Sequence, residues 1–209
     1  MARGRLITIE GIDGAGKTTL AGALAHELTA RSPERRVELL REPGGVEAAE
    51  RIRALVKDHA LHFVSRAEAL LYAAARAQLI EERIGPLLAE DAIVLLDRFV
   101  DSSLAYQGGG RGLGVESVRA VNRFATGSIV PDRTLLLRIT PAEGRLRRQT
   151  RPEEIDRMET EDERFYAAIA ATYEELARAE PQRIRVLDGV QAPERVVADA
   201  LVAVSDLSL

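Results

Sequence analysis

The feature that most constrains this chain is a glycine-rich segment near its start, residues 11–18, with the sequence Gly-Ile-Asp-Gly-Ala-Gly-Lys-Thr. It fills the pattern of a nucleotide-binding P-loop, in which a glycine and any four residues precede Gly-Lys-Ser/Thr. An apolar run with strand character, residues 6–9, comes before it. Leucines with helical spacing come after it, at Leu20, Leu24 and Leu28. We therefore expect a strand, a phosphate-binding turn and a helix in succession.

The residue types in this loop suit the binding of a triphosphate. Glycines let backbone N–H groups turn inward, and the helix N-terminus adds donors and a partial positive charge. Lys17 is expected to reach the β- and γ-phosphates, and the Thr18 hydroxyl to help hold Mg²⁺. The alternative is a glycine-rich turn that binds nothing. The residues predicted to contact the triphosphate are Gly11, Ile12, Asp13, Gly14, Ala15, Gly16, Lys17, Thr18 and Thr19.

Length and composition narrow the class of protein. A chain of 209 residues is long enough for one substantial core, so we expect a single domain over 1–209, with a small lid at about 142–160. The net charge of −4 argues against a nucleic-acid-binding protein, whose surface would carry a basic surplus. The chain has no cysteine, which excludes disulfides. Because no long apolar run and no apolar signal segment occur, we expect a cytoplasmic protein that binds no membrane.

The rest of the chain alternates between segments typical of strands and segments typical of helices. Four further strands are predicted at residues 37–40, 92–97, 134–139 and 184–188. Helices are predicted between them, including 46–58 and 65–89. This alternation predicts an α/β fold whose parallel sheet is covered by helices on both faces.

The strand at residues 92–97 is a continuous apolar run that ends in an acid, Asp97. A buried central strand that ends in an aspartate beside a P-loop is the Walker B arrangement, in which the carboxylate helps to hold Mg²⁺. We therefore predict Thr18 and Asp97 as the metal ligands. Arg98 follows Asp97 directly.

Two further positions could meet a ligand. Arg41 ends the second strand, and ligands collect beyond the carboxyl ends of strands in open α/β sheets, although the Pro-Gly-Gly after it is also typical of an ordinary turn. Tyr72 and Arg76 are four residues apart on one face of a predicted helix, beside small alanines. They suit a flat ligand that stacks on Tyr72 while Arg76 takes a phosphate. On these residues alone, a core tyrosine beside a surface arginine is the favoured alternative.

Glycines cluster at residues 108–110 and return at Gly112, with Arg111 between them. Such a cluster predicts a mobile loop rich in exposed backbone, of the kind that often carries function. The alternative is a simple linker.

The segment from about 142 to 160 carries the heaviest local charge, with basic residues first and acidic residues later. Its arginines are Arg145, Arg147, Arg148, Arg151 and Arg157. A solvated helix face would explain mixed charge, but it explains less well the order of the two signs. That order suits a lid that closes arginines over a polyphosphate, where transferred charge must be neutralised in a water-poor site.

Taken together, these segments resemble the thymidylate kinases, in particular the bacterial form, along essentially the whole chain. The segments that carry the resemblance are residues 10–19, 41–45, 72–76, 97–99, 102–108 and 156–159. A P-loop alone is shared by many unrelated activities. The Asp-Arg-Phe of residues 97–99, followed at this distance by Ala-Tyr-Gln-Gly, is much more specific.

The resemblance implies a P-loop NTPase fold of three layers with a five-stranded sheet, and a homodimer. It implies the reaction ATP + dTMP → ADP + dTDP, with Mg²⁺. Residues implied in dTMP binding are Asp13, Arg41, Tyr72, Arg76, Arg98, Ser103, Tyr106 and Gln107.

The implied roles of these residues differ. Three arginines, Arg41, Arg76 and Arg98, surround the dTMP phosphate. Tyr72 stacks on thymine, at a position where the family commonly carries phenylalanine. Asp13 faces the deoxyribose 3′-hydroxyl. Ser103 and Tyr106 line the base and sugar, and Tyr106 excludes a 2′-hydroxyl.

The implied catalytic residues are Lys17, Asp97, Arg98 and one or more lid arginines. Some relatives carry an arginine inside the P-loop where this chain has Ala15, so the catalytic cation must come from elsewhere. In the bacterial form it comes from the lid, where the candidates are Arg147, Arg148 and Arg151. The lid is one residue longer than the expected pattern near residues 152–153, so the sequence does not select among the three.

Two alternatives remain at this point. One is a nucleotide or nucleoside kinase of the same fold that acts on a different acceptor. The other is a P-loop switch ATPase that regulates a partner, but such a protein would give Arg76 and Arg98 no anion to bind and the lid no reason to be basic.

Overall fold

The computed structural model describes residues 4–150 and 157–209, without the side chain of Glu159. Its centre is a five-stranded sheet in the order β2-β3-β1-β4-β5, and every neighbouring pair of strands is parallel. The strands are β1 (Arg5–Glu10), β2 (Val37–Arg41), β3 (Ile93–Asp97), β4 (Arg133–Arg138) and β5 (Ile184–Asp188). The predicted parallel α/β fold is therefore confirmed.

Helices connect the strands and cover both faces of the sheet. The helices are α1 (Lys17–Arg31), α2 (Glu47–Lys57), α3 (Ser65–Leu79), α4 (Gly85–Ala89), α5 (Val100–Ser103), α6 (Val115–Ala125), α7 (Pro141–Gln149), α8 (Glu163–Ala179) and α9 (Pro193–Ala203). A π-helical turn, Ile80–Ile84, joins α3 to α4, so the predicted helix at 65–89 is continuous. Among the described residues, no helix has the length and apolar character needed to cross a membrane.

The strand β3 shows why the sheet needs cover on both sides. Its residues Ile93 to Leu96 are all fully buried. Ile93 and Leu95 pack in the larger apolar cluster with α1, α8 and α9, whereas Val94 and Leu96 pack in a second cluster with α3 and α4. Successive side chains of a strand point to opposite faces, so an apolar run without alternation fits only a strand buried on both faces.

The carboxyl ends of the strands bring the predicted site residues to one edge of the sheet. The P-loop follows β1, Arg41 ends β2 and Asp97 ends β3. After β4, Thr140 caps α7 in a reciprocal pair with Glu143. This edge is where an open parallel sheet binds its ligands.

The prediction of a glycine loop is wrong for residues 108–110. Leu104–Gly110 forms a π-helical segment that packs along α8, and most of it is buried. A Cβ added at Gly110 would lie 2.6 Å from the Phe165 ring. The glycines therefore permit close contact between two helical segments, a use that composition alone does not distinguish from flexibility.

Of the predicted lid, the structure describes α7 and the short 3₁₀ helix Arg157–Thr160. Arg151 lies outside the described residues. The single-domain organisation with a lid at about 142–160 stays a prediction.

Candidate active site

A cleft of about 770 Å³ opens at the carboxyl edge of the sheet. Most of the residues predicted from the sequence lie on its walls. They are Asp13, Gly14, Gly16, Lys17, Thr18, Thr19, Arg41, Tyr72, Arg76, Asp97, Arg98, Ser103, Tyr106 and Gln107. The size and the mixed lining suit a small polar ligand with a flat ring.

The P-loop turns into α1 through Gly16, whose φ of 94° lies in the left-handed region that favours glycine. Lys17 is buried, and its Nζ donates to the carbonyl of Ile12 at 2.9 Å. Burial and the nearby Arg98 lower the pKa of Lys17 to about 8, against the opposing effect of Asp13 and Asp97. The Lys17 amine is thus held beside the N-terminus of α1, where a bound polyphosphate would favour its protonated form.

Two predicted triphosphate contacts have side chains that face away from the cleft. Ile12 and Ala15 are buried in the larger apolar cluster. Only their backbone atoms can contact a phosphate at this loop. Gly11, with a φ of 142°, lies where an added Cβ would stand 2.6 Å from the carbonyl of Leu137 on β4.

Thr18 and Asp97 meet as the sequence predicted. The Thr18 hydroxyl donates to Asp97 Oδ2 at 2.7 Å. A hydroxyl and a carboxylate are hard oxygen ligands, and Mg²⁺ is usually held by one or two such groups together with substrate phosphates. The donor set at this point therefore fits Mg²⁺.

Arg98 joins the P-loop to the corner of the chain that follows β3. Its φ of 71° is unusual for a residue with a side chain and marks a constrained corner after β3. Its guanidinium forms an ion pair with Asp13, donates to Ser102 Oγ at 3.1 Å and lies 5.0 Å from the centre of the Tyr106 ring. The corner thus directs one cation at the middle of the cleft.

Asp13 is surrounded by donors. Its Oδ2 accepts from the hydroxyls of Tyr106 at 2.8 Å and Tyr166 at 3.3 Å. Burial opposes ionisation of this carboxyl, but Arg98, Lys17 and Tyr106 outweigh it and hold the pKa of Asp13 well below its usual range. Asp13 is therefore a fixed negative charge inside the P-loop.

The other predicted arginines differ in exposure. The Arg41 side chain is 55% exposed and pairs with Glu50 at 2.9 Å, so it can turn toward a ligand. Arg76 is buried, and its guanidinium donates four hydrogen bonds to protein acceptors and forms an ion pair with Glu42. The acceptors are Glu42, Ser103, Asn122 and the carbonyl of Phe99. The assignment of Arg76 to a phosphate stays a prediction.

Gln107 lines the cleft but also belongs to a buried ionic cluster that sequence reasoning missed. Its Nε2 donates to Glu68 at 3.0 Å, and Glu68 also binds Arg111 and Arg157. Burial opposes ionisation of Glu68, but these donors lower its pKa. A usable signal existed, because Glu68 precedes Tyr72 by one helical turn on the same face of α3.

The arginines of α7 reach the P-loop backbone. Arg147 donates to the carbonyl of Gly189 at 2.9 Å, and Arg148 donates to the carbonyl of Asp13 at 3.1 Å. Arg148 also lies 4.2 Å from the centre of the Tyr166 ring, in cation–π contact. Arg147 also donates to the carbonyl of Gly14 at 3.4 Å, so the two described candidates for the catalytic cation both lie against the P-loop.

A pair of glycines permits this approach of α7. A Cβ added at Gly144 would stand 2.7 Å from the carbonyl of Asp13, and one added at Gly14 would stand 2.5 Å from the carbonyl of Gly144. Backbone therefore meets backbone at this contact. Sequence reasoning did not single out Gly144.

Comparison with known proteins agrees with this geometry. A family model described as thymidylate kinase matches residues 9–200. The chain belongs to the thymidylate kinase family. It is 47% identical over 204 residues to a thymidylate kinase of Oenococcus oeni, covering 96% of this chain and 95% of that protein. It is 42% identical over 206 residues to a thymidylate kinase of Deinococcus radiodurans, covering 99% and 98%.

A solved structure extends the agreement to the fold. The crystal structure of a thymidylate kinase from Ehrlichia chaffeensis superposes with a TM-score of 0.81 at 28% identity, covering 97% of this chain and 99% of that one. The resemblance inferred from the sequence motifs and the P-loop NTPase fold are both confirmed.

We predict that Gly144→Ala pushes α7 off the P-loop and lowers kcat/KM for ATP roughly 10-fold to 100-fold, because small displacements of catalytic groups are costly. Gly22→Ala on α1 is the matched control, since an added Cβ there has no neighbour within 4 Å in the described part of the chain. Steady-state kinetics give kcat/KM for ATP in both variants and in the wild type. Equal kinetics for Gly144→Ala and wild type would contradict the contact.

Proposed function

We propose that this protein transfers the γ-phosphoryl group of ATP to the phosphate of dTMP, forming ADP and dTDP. The observation that carries the proposal is the corner formed by Asp97 and Arg98. Asp97 accepts a hydrogen bond from Thr18 of the P-loop, whereas Arg98 pairs with Asp13 and covers Tyr106. A donor triphosphate and an acceptor phosphate would meet across this corner.

On the donor side, the P-loop backbone and the ammonium of Lys17 bind the β- and γ-phosphates. Thr18 and Asp97 hold Mg²⁺, which when bound neutralises part of the phosphate charge. The 2.7 Å hydrogen bond between these two side chains supports that pairing, because a metal ligated by both needs them adjacent.

On the acceptor side, Arg98 and Arg41 bind the dTMP phosphate, and Tyr72 stacks on thymine. Asp13 accepts a hydrogen bond from the 3′-hydroxyl of deoxyribose, in competition with the hydroxyl of Tyr106. Burial raises the pKa of Tyr106 well above its usual range, so this phenol stays a neutral donor. Its bulk beside Asp13 excludes a 2′-hydroxyl.

Catalysis then requires alignment and charge stabilisation more than proton transfer, as in phosphoryl transfer generally. Arg98 holds the attacking phosphate oxygens, and the ammonium of Lys17 stays in contact with the γ-phosphoryl group during its transfer. One of Arg147, Arg148 and Arg151 supplies a further cation to the transferring group. The contacts of Arg147 and Arg148 with carbonyls of the P-loop and of Gly189 support a role close to the triphosphate.

We propose further that the protein works as a homodimer in the cytoplasm. Apolar side chains that are exposed on α2 and α3, Leu55 and Leu70, support these helices as the dimer contact. The chain has no cysteine and therefore needs no oxidising compartment to form a disulfide.

The acceptor is tested by ATP-dependent phosphorylation of dTMP, dUMP, dCMP, dGMP and thymidine, measured at equal concentrations. The proposal predicts the highest kcat/KM for dTMP and formation of dTDP. A strong preference for another acceptor would overturn the assignment of dTMP. ATP hydrolysis that is slow and unaffected by every acceptor would favour a switch ATPase.

The charge of Lys17 gives a second prediction. Because its pKa is lowered to about 8, much of Lys17 is neutral at pH ~8.5, and a bound polyphosphate raises that pKa again. Binding of ATP at this pH should therefore take up a proton. Titration calorimetry in two buffers of different ionisation enthalpy measures the uptake.

The control for this experiment is Lys17→Arg, which stays charged at this pH. When this variant binds ATP, the number of protons taken up per ATP should be measurably smaller than for the wild type. Equal uptake by both proteins would show that the proton goes to another group.

A further inference from the structure

Glu10 is a buried carboxylate that the proposed mechanism does not use. It is the last residue of β1, is fully buried and lies outside the walls of the cleft. Four donors reach it. They are the backbone N–H groups of Phe99 and Ser102 and the hydroxyls of Ser102 and Tyr173. A carboxylate this deep is costly to bury unless it is hydrogen-bonded, and these four donors meet that need.

The first thing these bonds do is cap α5. The N-cap residue of this helix is Phe99, whose side chain has no polar atom and cannot accept the free N–H groups of the first turn. Glu10 Oε1 accepts from the N–H of Phe99 at 2.8 Å and from that of Ser102 at 3.1 Å. A strand end thus supplies the cap that the helix lacks.

This cap fixes the chain on both sides of Arg98. The N–H of Arg98 donates to the carbonyl of Ile9 at 3.0 Å, and the next N–H along the chain, that of Phe99, goes to Glu10. The last two residues of β1 therefore hold the corner in which Arg98 keeps its φ of 71°. Without such contacts a strained conformation of this kind relaxes.

A second path runs through the side chain of Ser102. Its hydroxyl donates to Glu10 Oε2 at 2.5 Å and accepts from Arg98 Nη1 at 3.1 Å. Because an ionised carboxylate only accepts, the serine proton is committed to Glu10 and its lone pairs face the guanidinium. The direction of each hydrogen bond from Glu10 to Arg98 is thereby set.

The charge of Glu10 is finely balanced by its neighbours. Burial and the charge of Asp101 on α5 raise its pKa to about 7, although Ser102, Arg98 and Tyr173 of α8 act in the opposite direction. Lys17 at the start of α1 also senses this charge. Glu10 can thus be ionised at neutral pH, in the form that accepts all four bonds.

We propose that Glu10 is a positioning residue for the acceptor phosphate: it caps α5 and, through Ser102, orients the guanidinium of Arg98. The inference rests on the proposed function, because the anion that Arg98 meets is taken to be the phosphate of dTMP. Glu10 touches no substrate and acts through Arg98 alone.

The test compares Ser102→Ala and Glu10→Gln with Tyr173→Phe. Ser102→Ala breaks the link to Arg98, and Glu10→Gln replaces an acceptor oxygen by a donor at the same size. Tyr173→Phe removes a donor to the same Oε2 but leaves the serine between Glu10 and Arg98. The readouts are the Kd of dTMP, KM for each substrate, kcat and the thermal unfolding midpoint.

We expect Ser102→Ala and Glu10→Gln to weaken dTMP binding about tenfold or more, since each loses a hydrogen bond in a charged network. In these two variants, KM for ATP should change less than about twofold. In Tyr173→Phe, KM for both substrates should stay within about threefold of the wild-type value. A purely structural role would instead lower the unfolding midpoint and leave the ratio of the two KM values unchanged.

Unchanged dTMP binding in folded Ser102→Ala would overturn the positioning role, even if Glu10→Gln fails to fold. Equal losses for dTMP and ATP would overturn it as well. If the wild-type protein binds no dTMP, the proposed function itself fails. If the wild type binds dTMP and the variants bind it equally well, only the positioning role of Glu10 fails.

Discussion

The ion pair between Asp13 and Arg98 is the interaction on which the rest of the site depends. Asp13 belongs to the P-loop and Arg98 to the corner after β3, so the pair ties the loop proposed to hold the donor to the residue proposed to meet the acceptor. Both side chains are largely shielded from water. In such a site an ion pair is favourable only when its geometry is good and further hydrogen bonds satisfy both groups. Tyr106 supplies one of these further bonds to Asp13. The relative position of the two substrates is therefore built into the protein before either binds.

Two other contacts extend this arrangement outward. Gly14 and Gly144 let α7 lie against the P-loop, and Arg148 of α7 then bonds the carbonyl of the same Asp13. Glu68 of α3 binds Arg157, the first residue of the 3₁₀ helix Arg157–Thr160. Among the described arginines of the basic segment, Arg148 is thus bonded to the P-loop and Arg157 to α3.

Much of this could be predicted from the sequence, because the relevant signals are local. The strand β5 and the cap of α7 at Thr140 follow from residue patterns within a few positions, and the Walker B role of Asp97 follows from its place after an apolar run. The partners of Arg76 were not predictable, because Glu42 and Asn122 lie 34 and 46 residues away and meet it only after folding. The same holds for the pairing of Glu10 with α5.

The central claim is that Asp13 and Arg98 act as one unit, and a double-mutant cycle on dTMP binding tests it most directly. Calorimetry would give the Kd of dTMP for wild type, Asp13→Asn, Arg98→Met and the double variant. If the pair positions the acceptor, the losses should be non-additive, with a coupling free energy of about 1 kcal/mol or more. Losses that add within about 0.5 kcal/mol would mean that the two residues bind dTMP independently, and would contradict this account.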